Sequence, residues 1–410
     1  MPMTFLSRRT VLAGTSALAA VPLIRPARAQ APIIKLGVLN DQSGVYSDDT
    51  GMTSVACVRQ AVEDFKADGF TVEVVYADHQ NKPDIGSNIA RQWFDREGVD
   101  AVIDVPTSSV ALAVNQICRE KNKVHLNSGA ATTDLTGAQC TPNTVHWTYD
   151  TYMLSKSTGG AVVKSGGDSW YFITADYAFG QQLQRDTAKV VQAAGGKVLG
   201  SSAYPFPGTS DFSSFLIQAQ ASGAKVLGLA NSGADTINCI KQANEFGLTQ
   251  TMKIAALLFY NSNVHGLGQE MSRGMVMTES FYWDLNDRTR AFMKRLLSQK
   301  PAQYPNMVQA GCYGATLHYL KAVASLGAAA AKADGRAAVA RMKELPTDDD
   351  AFGKGHIRQD GRKIHPSFLF EAKAPGENKG EWDLLNLVAT TPAEEAFRPE
   401  SEGGCPLVKK

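Results

Sequence analysis

The sequence has little that would indicate an enzyme, a metalloprotein or a nucleic-acid-binding protein. Its 41 basic and 40 acidic residues leave no basic excess for binding DNA or RNA. It contains no Gly-x-Gly-x-x-Gly, Gly-x-Ser-x-Gly or Gly-x-x-x-x-Gly-Lys-Ser/Thr motif. The seven histidines form neither His-x-x-x-His nor His-Glu-x-x-His, and the six cysteines include no Cys-x-x-Cys. We therefore expect no catalysis, no cofactor, no metal site and no nucleic-acid partner.

The N-terminal segment has the composition of an export signal. Arg8 and Arg9 precede a mildly apolar stretch at residues 11–24, and the small residues Ala27 and Ala29 follow it. This order is typical of a secretory signal, and the paired arginines indicate the twin-arginine route. The alternative is a membrane anchor, but the apolar stretch is too short to cross about 30 Å of hydrocarbon. We predict a signal at residues 1–29, cleavage after Ala29 and release into the periplasm.

The mature chain has no run of about 18 apolar residues and so offers no candidate for a transmembrane helix. Removing the four arginines of the signal from the 41 basic residues leaves 37, against 40 acidic residues. Removing 29 of the 410 residues leaves 381, which is enough for two domains with substantial cores.

The sequence contains six cysteines and leaves their disulfide pairing open. An oxidising periplasm permits disulfide bonds, but six cysteines allow 15 pairings. Cys118 and Cys140 are close in the chain, so they are our first choice for a bonded pair. Cys57 and Cys239 lie in helical patterns, and we expect both in the core.

Short apolar runs alternate with helical patterns along most of the chain. Ile33–Leu39 predicts a buried strand, and apolar residues then recur at helical spacing from Val55 to Phe65. The alternation continues to Asn127 and restarts at Trp170. This pattern indicates βαβ units and a parallel sheet in each half.

The predicted fold class is α/β, with two Rossmann-like lobes joined by three crossing segments. Helices dominate residues 287–345, after the second set of strands, and they are hard to place in a single sheet. We therefore expect the chain to return to the first lobe there, and the tail strands to complete the second lobe. The expected limits are 30–152 plus 283–355 for the first lobe and 153–282 plus 356–410 for the second, with crossings near 150, 282 and 356.

The candidate binding residues lie in loops after the predicted strands, because ligands of open α/β sheets bind beyond the strands' carboxyl ends. Thr107, Ser108 and Ser109 offer hydroxyls and free amides that suit a carboxylate, although they could equally be ordinary helix caps. Residues 128–134 form another small, hydroxyl-rich turn. The full candidate set is Tyr46, Thr107, Ser108, Ser109, Ala130, Thr132, Tyr177, Phe179, Asn231 and Phe259.

Several segments carry a family resemblance through their order and spacing. They are Gly37–Gly44, Ala131–Thr136, Val145–Asp150, Ala175–Gly180 and Thr209–Ser213. Together they resemble the type I periplasmic solute-binding proteins of the branched-chain amino-acid receptor kind, which serve ABC importers. The resemblance covers essentially the whole mature chain. It implies two lobes that close on a small-molecule ligand, membrane permease subunits as partners, and a monomer.

The resemblance also implies roles for some candidate residues. In the amino-acid receptors, hydroxyl and backbone groups of the first lobe hold the ligand carboxylate, and the matching positions are Thr107, Ser108 and the turn at residues 130–132. An aromatic side chain of the second lobe matches Phe179, with Tyr177 nearby.

Two departures from the family pattern bear on the ligand. The amino-acid receptors usually place an acid in the late second-lobe loop to pair with the ligand ammonium, whereas Leu257–Asn261 contains none. Pro106 stands where those receptors carry a disulfide cysteine. Because a buried, unpaired ammonium is costly, our hypothesis is a carboxylate with an aromatic or apolar body and no required α-amine. The alternatives are a branched-chain or other amino acid, a ligand-presenting sensory receptor module, and an exported α/β enzyme.

Overall fold

The computed structural model describes residues 31–409, so the predicted signal and its cleavage site lie outside the described residues. The first lobe contains β1 (Ile33–Asn40), α1 (Gly51–Phe65), β2 (Thr71–Asp78), α2 (Pro83–Gln92), β3 (Ala101–Asp104), α3 (Ser108–Lys121), β4 (Val124–Asn127) and β5 (Thr144–His146). Its five strands form a parallel sheet in the order β2-β1-β3-β4-β5.

The second lobe repeats this architecture. It contains α4 (Thr151–Leu154), α5 (Gly160–Lys164), β6 (Ser169–Ala175), α6 (Ala178–Ala193), β7 (Lys197–Tyr204), α7 (Ser213–Ala221), β8 (Val226–Ala230), α8 (Gly233–Glu245), β9 (Lys253–Ala256), α9 (Asn261–Leu267), α10 (Gln269–Ser272) and β10 (Val276–Glu279). Strands β6 to β9 form a parallel sheet in the order β7-β6-β8-β9. The α/β class and the two parallel sheets predicted from the sequence are confirmed.

The rest of the chain completes both lobes. It contains α11 (Asp287–Leu296), α12 (Met307–Leu326), α13 (Ala328–Ala333), α14 (Gly335–Glu344), β11 (Thr347–Asp349), β12 (Gly353–Ile357), β13 (Lys363–Ile364), β14 (Ser367–Ala372), β15 (Leu385–Thr391) and α15 (Ala393–Ala396). Helix α12 packs along α1 and against β3, in the first lobe. Strands β10, β14 and β15 form an antiparallel sheet that extends the second lobe.

The third crossing follows a small sheet beside the first lobe. Strands β11, β12 and β13 pair antiparallel, and His146 bridges to Arg362 next to β13. Residues 353–364 therefore lie beside the first sheet, and the chain joins the second lobe's antiparallel sheet at Ser367. The exact limits of the two lobes stay a prediction.

The central strands are buried on both faces, which explains their continuous apolar sequences. Every residue of β3, β4 and β8 is buried, whereas the edge strand β2 is partly exposed along its length. Helices that cover both faces of a parallel sheet produce this difference. Cys57 on α1 and Cys239 on α8 are buried free thiols, as predicted. Within residues 31–409, no helix combines the length and apolar composition that a membrane span requires.

The predicted Cys118–Cys140 disulfide is wrong. Cys140 is bonded to Cys405, with their Cα atoms 5.6 Å apart, and Cys118 is a buried free thiol. Closeness in the chain was misleading because α3 turns the Cys118 side chain inward, where its Sγ lies 3.9 Å from the carbonyl oxygen of Val124. The bond ties the C-terminal tail to the first lobe across 265 residues.

A buried ion pair joins two of the segments between the lobes. The guanidinium of Arg362 lies 3.2 Å from Asp150 Oδ2 and donates to the carbonyl oxygen of Thr148. Its Cζ also lies 4.6 Å from the centre of the Phe397 ring. Burial lowers the pKa of Arg362 to about 10, and Asp150 opposes that shift. The guanidinium therefore stays charged at neutral pH and fastens the segment after β5 to the loop before β13.

Loss of the Cys140–Cys405 bond should lower the free energy of unfolding by about 2–5 kcal/mol, because the bond restricts the unfolded chain over a long loop. We expect this loss in urea unfolding, both for a Cys140→Ser/Cys405→Ser double variant and for the reduced wild type. A Cys118→Ala variant keeps the bond, so reduction should destabilise it as much as the wild type. A Cys118→Ala variant that is insensitive to reductant would contradict the pairing.

Candidate functional site

A small cavity lies between the lobes, at the carboxyl ends of both parallel sheets. In the first lobe it is lined by loops after β1, β3, β4 and β5 and by the start of α12. In the second lobe it is lined by loops after β6, β8 and β9. The lining residues are Tyr46, Asp49, Thr50, Pro106, Thr107, Ser108, Gly129, Ala130, Ala131, Tyr149, Tyr177, Phe179, Ser232, Leu258, Tyr260 and Val308.

Six of the ten candidate residues line this cavity. Three others lie next to lining residues in the sequence but do not line the cavity themselves. The six are Tyr46, Thr107, Ser108, Ala130, Tyr177 and Phe179. Ser109 is half-buried on α3. The Thr132 hydroxyl donates to Gln182 Oε1 at 2.8 Å across the lobes. The side-chain oxygen of Asn231 accepts a hydrogen bond of 2.6 Å from a threonine on α8.

Phe259, the tenth candidate, packs into the core of the second lobe, while its two neighbours line the cavity. Leu258 and Tyr260 pack in one apolar cluster and Phe259 packs in another, so these three side chains alternate in direction along the loop after β9. Residues 257–260 are all apolar or aromatic, so the sequence does not show which of them faces the cavity.

The turn between β3 and α3 is strained. Asp104, Val105 and Thr107 all have positive φ, at 79°, 51° and 72°. Each such residue costs on the order of 1–3 kcal/mol and persists only where its surroundings hold it. One holding contact is the hydrogen bond of 2.5 Å from the Thr107 hydroxyl to Asn81 Oδ1. The strained turn places Ser108, the first residue of α3, at the cavity.

This corner of the first lobe is built from hydrogen-bond donors. The Ser108 hydroxyl is buried and has no partner within residues 31–409. The Ser108 and Ser109 amides at the start of α3 make no hydrogen bond within residues 31–409 and are available too, whereas the Val110 and Ala111 amides donate to the carbonyl oxygen of Thr107. A Cβ at Gly129 would lie 2.8 Å from Pro106 Cα, so the absence of a side chain lets the backbone of residues 129–131 reach this corner. Hydroxyl and amide donors at a helix start suit a carboxylate.

Asp49 brings a buried carboxyl group to the cavity. Its Oδ1 accepts hydrogen bonds from Ser262 Oγ at 2.9 Å and Asn263 Nδ2 at 2.8 Å, both in the first turn of α9. Its Oδ2 is buried with no partner in the described part of the chain. Burial raises the pKa of Asp49 to about 7, although the two hydrogen bonds oppose the shift. A group between its charged and neutral forms therefore faces the cavity near neutral pH.

The candidate set omits Asp49 because its sequence context is ambiguous. Asp48, Asp49 and Thr50 immediately precede α1, where such residues are ordinary helix caps. In the structure Thr50 occupies the cap position of α1, and Asp49 instead contacts α9 of the opposite lobe. Only the approach of the second lobe, from 213 residues away, reveals this role.

Tyrosine hydroxyls connect the lobes around the cavity. Tyr46 and Tyr177 share a hydrogen bond of 2.7 Å, and the Tyr260 hydroxyl donates to that of Tyr149 at 3.0 Å. The Tyr177 ring stacks on Phe206, with ring centres 4.3 Å apart. Burial raises the pKa of all four tyrosines, so their hydroxyls stay neutral. These contacts hold the two lobes in a closed arrangement.

The charged groups of the site do not form a metal centre. Among residues 31–409, no three His, Cys, Asp or Glu side chains come together in a way that could hold a metal ion. Asp49 is the only acidic residue of the described chain that lines the cavity.

Comparisons with known proteins agree with this architecture. The profile of the family described as periplasmic binding protein matches residues 33–380. A periplasmic binding protein from Burkholderia mallei is 47% identical, with 92% of this chain and 100% of that chain covered and a TM-score of 0.88. A branched-chain amino acid ABC transporter periplasmic ligand-binding protein from Burkholderia xenovorans LB400 is 39% identical, with coverages of 91% and 99% and a TM-score of 0.79.

A more distant structure shares the fold. The R. palustris ABC transporter solute-binding protein in complex with benzoate is 20% identical, with 92% of this chain and 100% of that chain covered and a TM-score of 0.77. No curated protein matches the sequence. With a family profile over most of its length and two relatives above 30% identity, this chain belongs to the periplasmic binding protein family, of the type I kind that serves ABC transporters.

Proposed function

We propose that this protein is the substrate-binding component of an ABC importer, exported to the periplasm by a twin-arginine signal that is cleaved after Ala29. Its ligand is a small organic carboxylate, with an aromatic or apolar acid favoured. The observation that carries the proposal is the cavity between the lobes, where hydroxyl and amide donors face aromatic and apolar side chains. The name of the relative at 39% identity, a branched-chain amino acid ABC transporter periplasmic ligand-binding protein, supports the transport role.

The lobes are proposed to rotate about the crossing segments and close on the ligand. Closure would bury the ligand and present one surface geometry to the permease subunits of the importer. The protein acts as a monomer and releases its ligand unchanged, in keeping with a family of substrate-binding transport proteins rather than enzymes.

The ligand carboxylate is placed at Ser108. A buried hydroxyl without a partner costs about 1–3 kcal/mol, and a carboxylate that accepts from Ser108 Oγ would remove that cost. The positive end of the α3 dipole adds a further attraction for the negative charge. The strained β3–α3 turn fixes these donors before the ligand arrives, so little ordering is required on binding.

Aromatic and apolar side chains surround the rest of the cavity. Phe179, Leu258 and Val308 are apolar, and Tyr177 and Tyr260 present rings with hydroxyls that are already bonded. These side chains suit the aromatic or apolar body of the proposed ligand.

A second candidate function is the binding of a branched-chain or other amino acid in the same transporter role. Asp49 supplies, from the first lobe, the acid that the loop at Leu257–Asn261 lacks. When it is ionised, its free Oδ2 could pair with a ligand ammonium. When it is protonated, it would instead donate to a neutral oxygen or tolerate an apolar group. The protonation state of Asp49 in the complex therefore separates the two candidates.

A thermal-shift panel tests the ligand class. We expect benzoate and 4-hydroxybenzoate to raise the Tm of the mature protein, because a ligand at 100 times its Kd adds about 2.7 kcal/mol. Benzyl alcohol, which lacks the carboxylate, should have no effect. Stabilisation by leucine or valine alone would favour the second candidate, and stabilisation by none of these compounds would leave both ligand classes unsupported.

Ser108→Ala should weaken binding of the stabilising carboxylate by about tenfold to a hundredfold, because a hydrogen bond to a charged group contributes about 1.5–3 kcal/mol. Ser109→Ala is the matched control, since the next residue along α3 does not line the cavity. Isothermal titration calorimetry measures both. Equal losses in the two variants would contradict the placement of the carboxylate.

Asp49→Asn distinguishes the two ligand classes through pH. The folded pKa of Asp49 is raised to about 7, so the neutral form dominates below pH 7 and the anion above it. For an acid without an amine, affinity should fall as pH rises from 6 to 8, and Asp49→Asn should bind well without that dependence. For an amino acid, affinity should instead rise over this window, and Asp49→Asn should lose binding. Calorimetric Kd values at several pH values measure this, and Asn keeps the oxygen that accepts from Ser262 and Asn263.

A further inference from the structure

A second cavity lies away from the cavity between the lobes and is lined by several basic side chains. Lys156, Arg185, Lys189 and Arg398 surround it, with Asp186 and Glu402 as the acidic residues. Four cations against two acids in a recess concentrate a positive potential, because the low-dielectric walls focus the field.

Most of this positive charge is not neutralised within the protein. Of the four cations, only Arg185 has a carboxylate within 4.0 Å in the described part of the chain, namely Asp186 at 3.0 Å. Lys156 Nζ donates to the backbone carbonyl of Glu395, and Arg398 Nη2 donates to that of Thr133 at 3.3 Å. The backbone oxygens orient these cations without cancelling their charge. The Lys189 side chain is exposed and makes no hydrogen bond or ion pair within residues 31–409.

The walls of the cavity belong to different parts of the fold. Arg398 and Glu402 lie on the C-terminal tail, which the Cys140–Cys405 disulfide ties to the first lobe. Arg185 and Lys189 lie one turn apart on α6 of the second lobe, so their side chains share one face of that helix. The two walls are therefore free to separate when the lobes move apart.

Direct contacts between the walls are few and polar. Gln182 of α6 donates from Nε2 to Asp134 Oδ2 at 2.8 Å and accepts at Oε1 from the Thr132 hydroxyl at 2.8 Å, and Lys156 Nζ donates to the carbonyl oxygen of Glu395 on the tail. Between these contacts, cations from both sides face each other across the cavity, and their mutual repulsion opposes closure. A bound anion would remove that repulsion and add contacts to both walls.

We propose that this cavity binds a small anion with two or more negative charges, held between Lys189 of α6 and Arg398 of the tail, with Lys156 beside them. Because the anion needs both walls, it binds best when they are close, and it therefore favours the closed arrangement of the lobes. The site is separate from the ligand cavity and shares no lining residue with it.

Inorganic phosphate is the probe for the test. The Tm of the mature protein is measured against sodium phosphate and against sodium chloride at matched ionic strength and constant pH. We expect a saturable rise in Tm with phosphate only. Lys189→Gln should weaken the apparent phosphate affinity by about threefold to fivefold, in the range of an exposed ion pair, and Lys189→Gln/Arg398→Gln should abolish the saturable rise.

Lys164→Gln is the matched control, because it removes the same charge from an exposed lysine of α5 outside the cavity. It should respond to phosphate as the wild type does. Equal Tm rises in phosphate and chloride, or an unchanged phosphate response in Lys189→Gln, would overturn the anion site. The exposed Lys189 makes no internal contact that its replacement could break, so a folding defect is not expected in that variant.

Small-angle X-ray scattering without any ligand in the main cavity tests the effect on closure. Phosphate should reduce the radius of gyration of the wild type and leave that of Lys189→Gln/Arg398→Gln unchanged. An unchanged radius in a wild type that binds phosphate would overturn the coupling to closure. Neither measurement uses the importer ligand, so either result is independent of the proposed transport function.

Discussion

Most groups that face the cavity between the lobes depend on one constraint of parallel sheets, which is that the carboxyl ends of all their strands lie along a single edge. Two such edges face each other between the lobes, so short loops far apart in the sequence converge on one small volume. The buried ion pair between Arg362 and Asp150 joins the segments that pass between the lobes. Because the lining residues come from loops that are far apart in the sequence, the site has no continuous sequence motif.

Tyrosine hydroxyl pairs help to hold the closed arrangement, alongside an apolar cluster that contains side chains of both lobes. The Tyr46–Tyr177 and Tyr149–Tyr260 hydroxyl pairs each exchange with water when the lobes separate, so each contributes only about 0.5–1.5 kcal/mol net. A balance of this kind lets ligand binding decide the population of the closed state, because the ligand contacts both lobes only there. The strain of the β3–α3 turn lies within one lobe and does not oppose closure.

In the proposed function, Asp49 would link ligand chemistry to lobe closure. One carboxyl oxygen accepts from the first turn of α9 in the opposite lobe, and the other is buried without a partner beside the cavity. The contact with α9 exists only when the lobes are together, so closure, the protonation of Asp49 and the chemistry of the ligand influence one another by thermodynamic linkage. A carboxyl group on a loop of the first lobe thus accepts hydrogen bonds from the second lobe.

The sequence by itself determined the α/β class and the two parallel sheets, and six of the ten candidate residues that it indicated line the cavity. Apolar periodicity and post-strand loops are local properties of the chain, so they can be recognised without the tertiary structure. Tertiary structure alone decided that Cys140 pairs with Cys405, that Leu258 and Tyr260 rather than Phe259 face the cavity, and that Asp49 meets the opposite lobe. These outcomes depend on which distant segments meet and in which register. Packing of whole lobes sets that geometry, and no local pattern of residues encodes it.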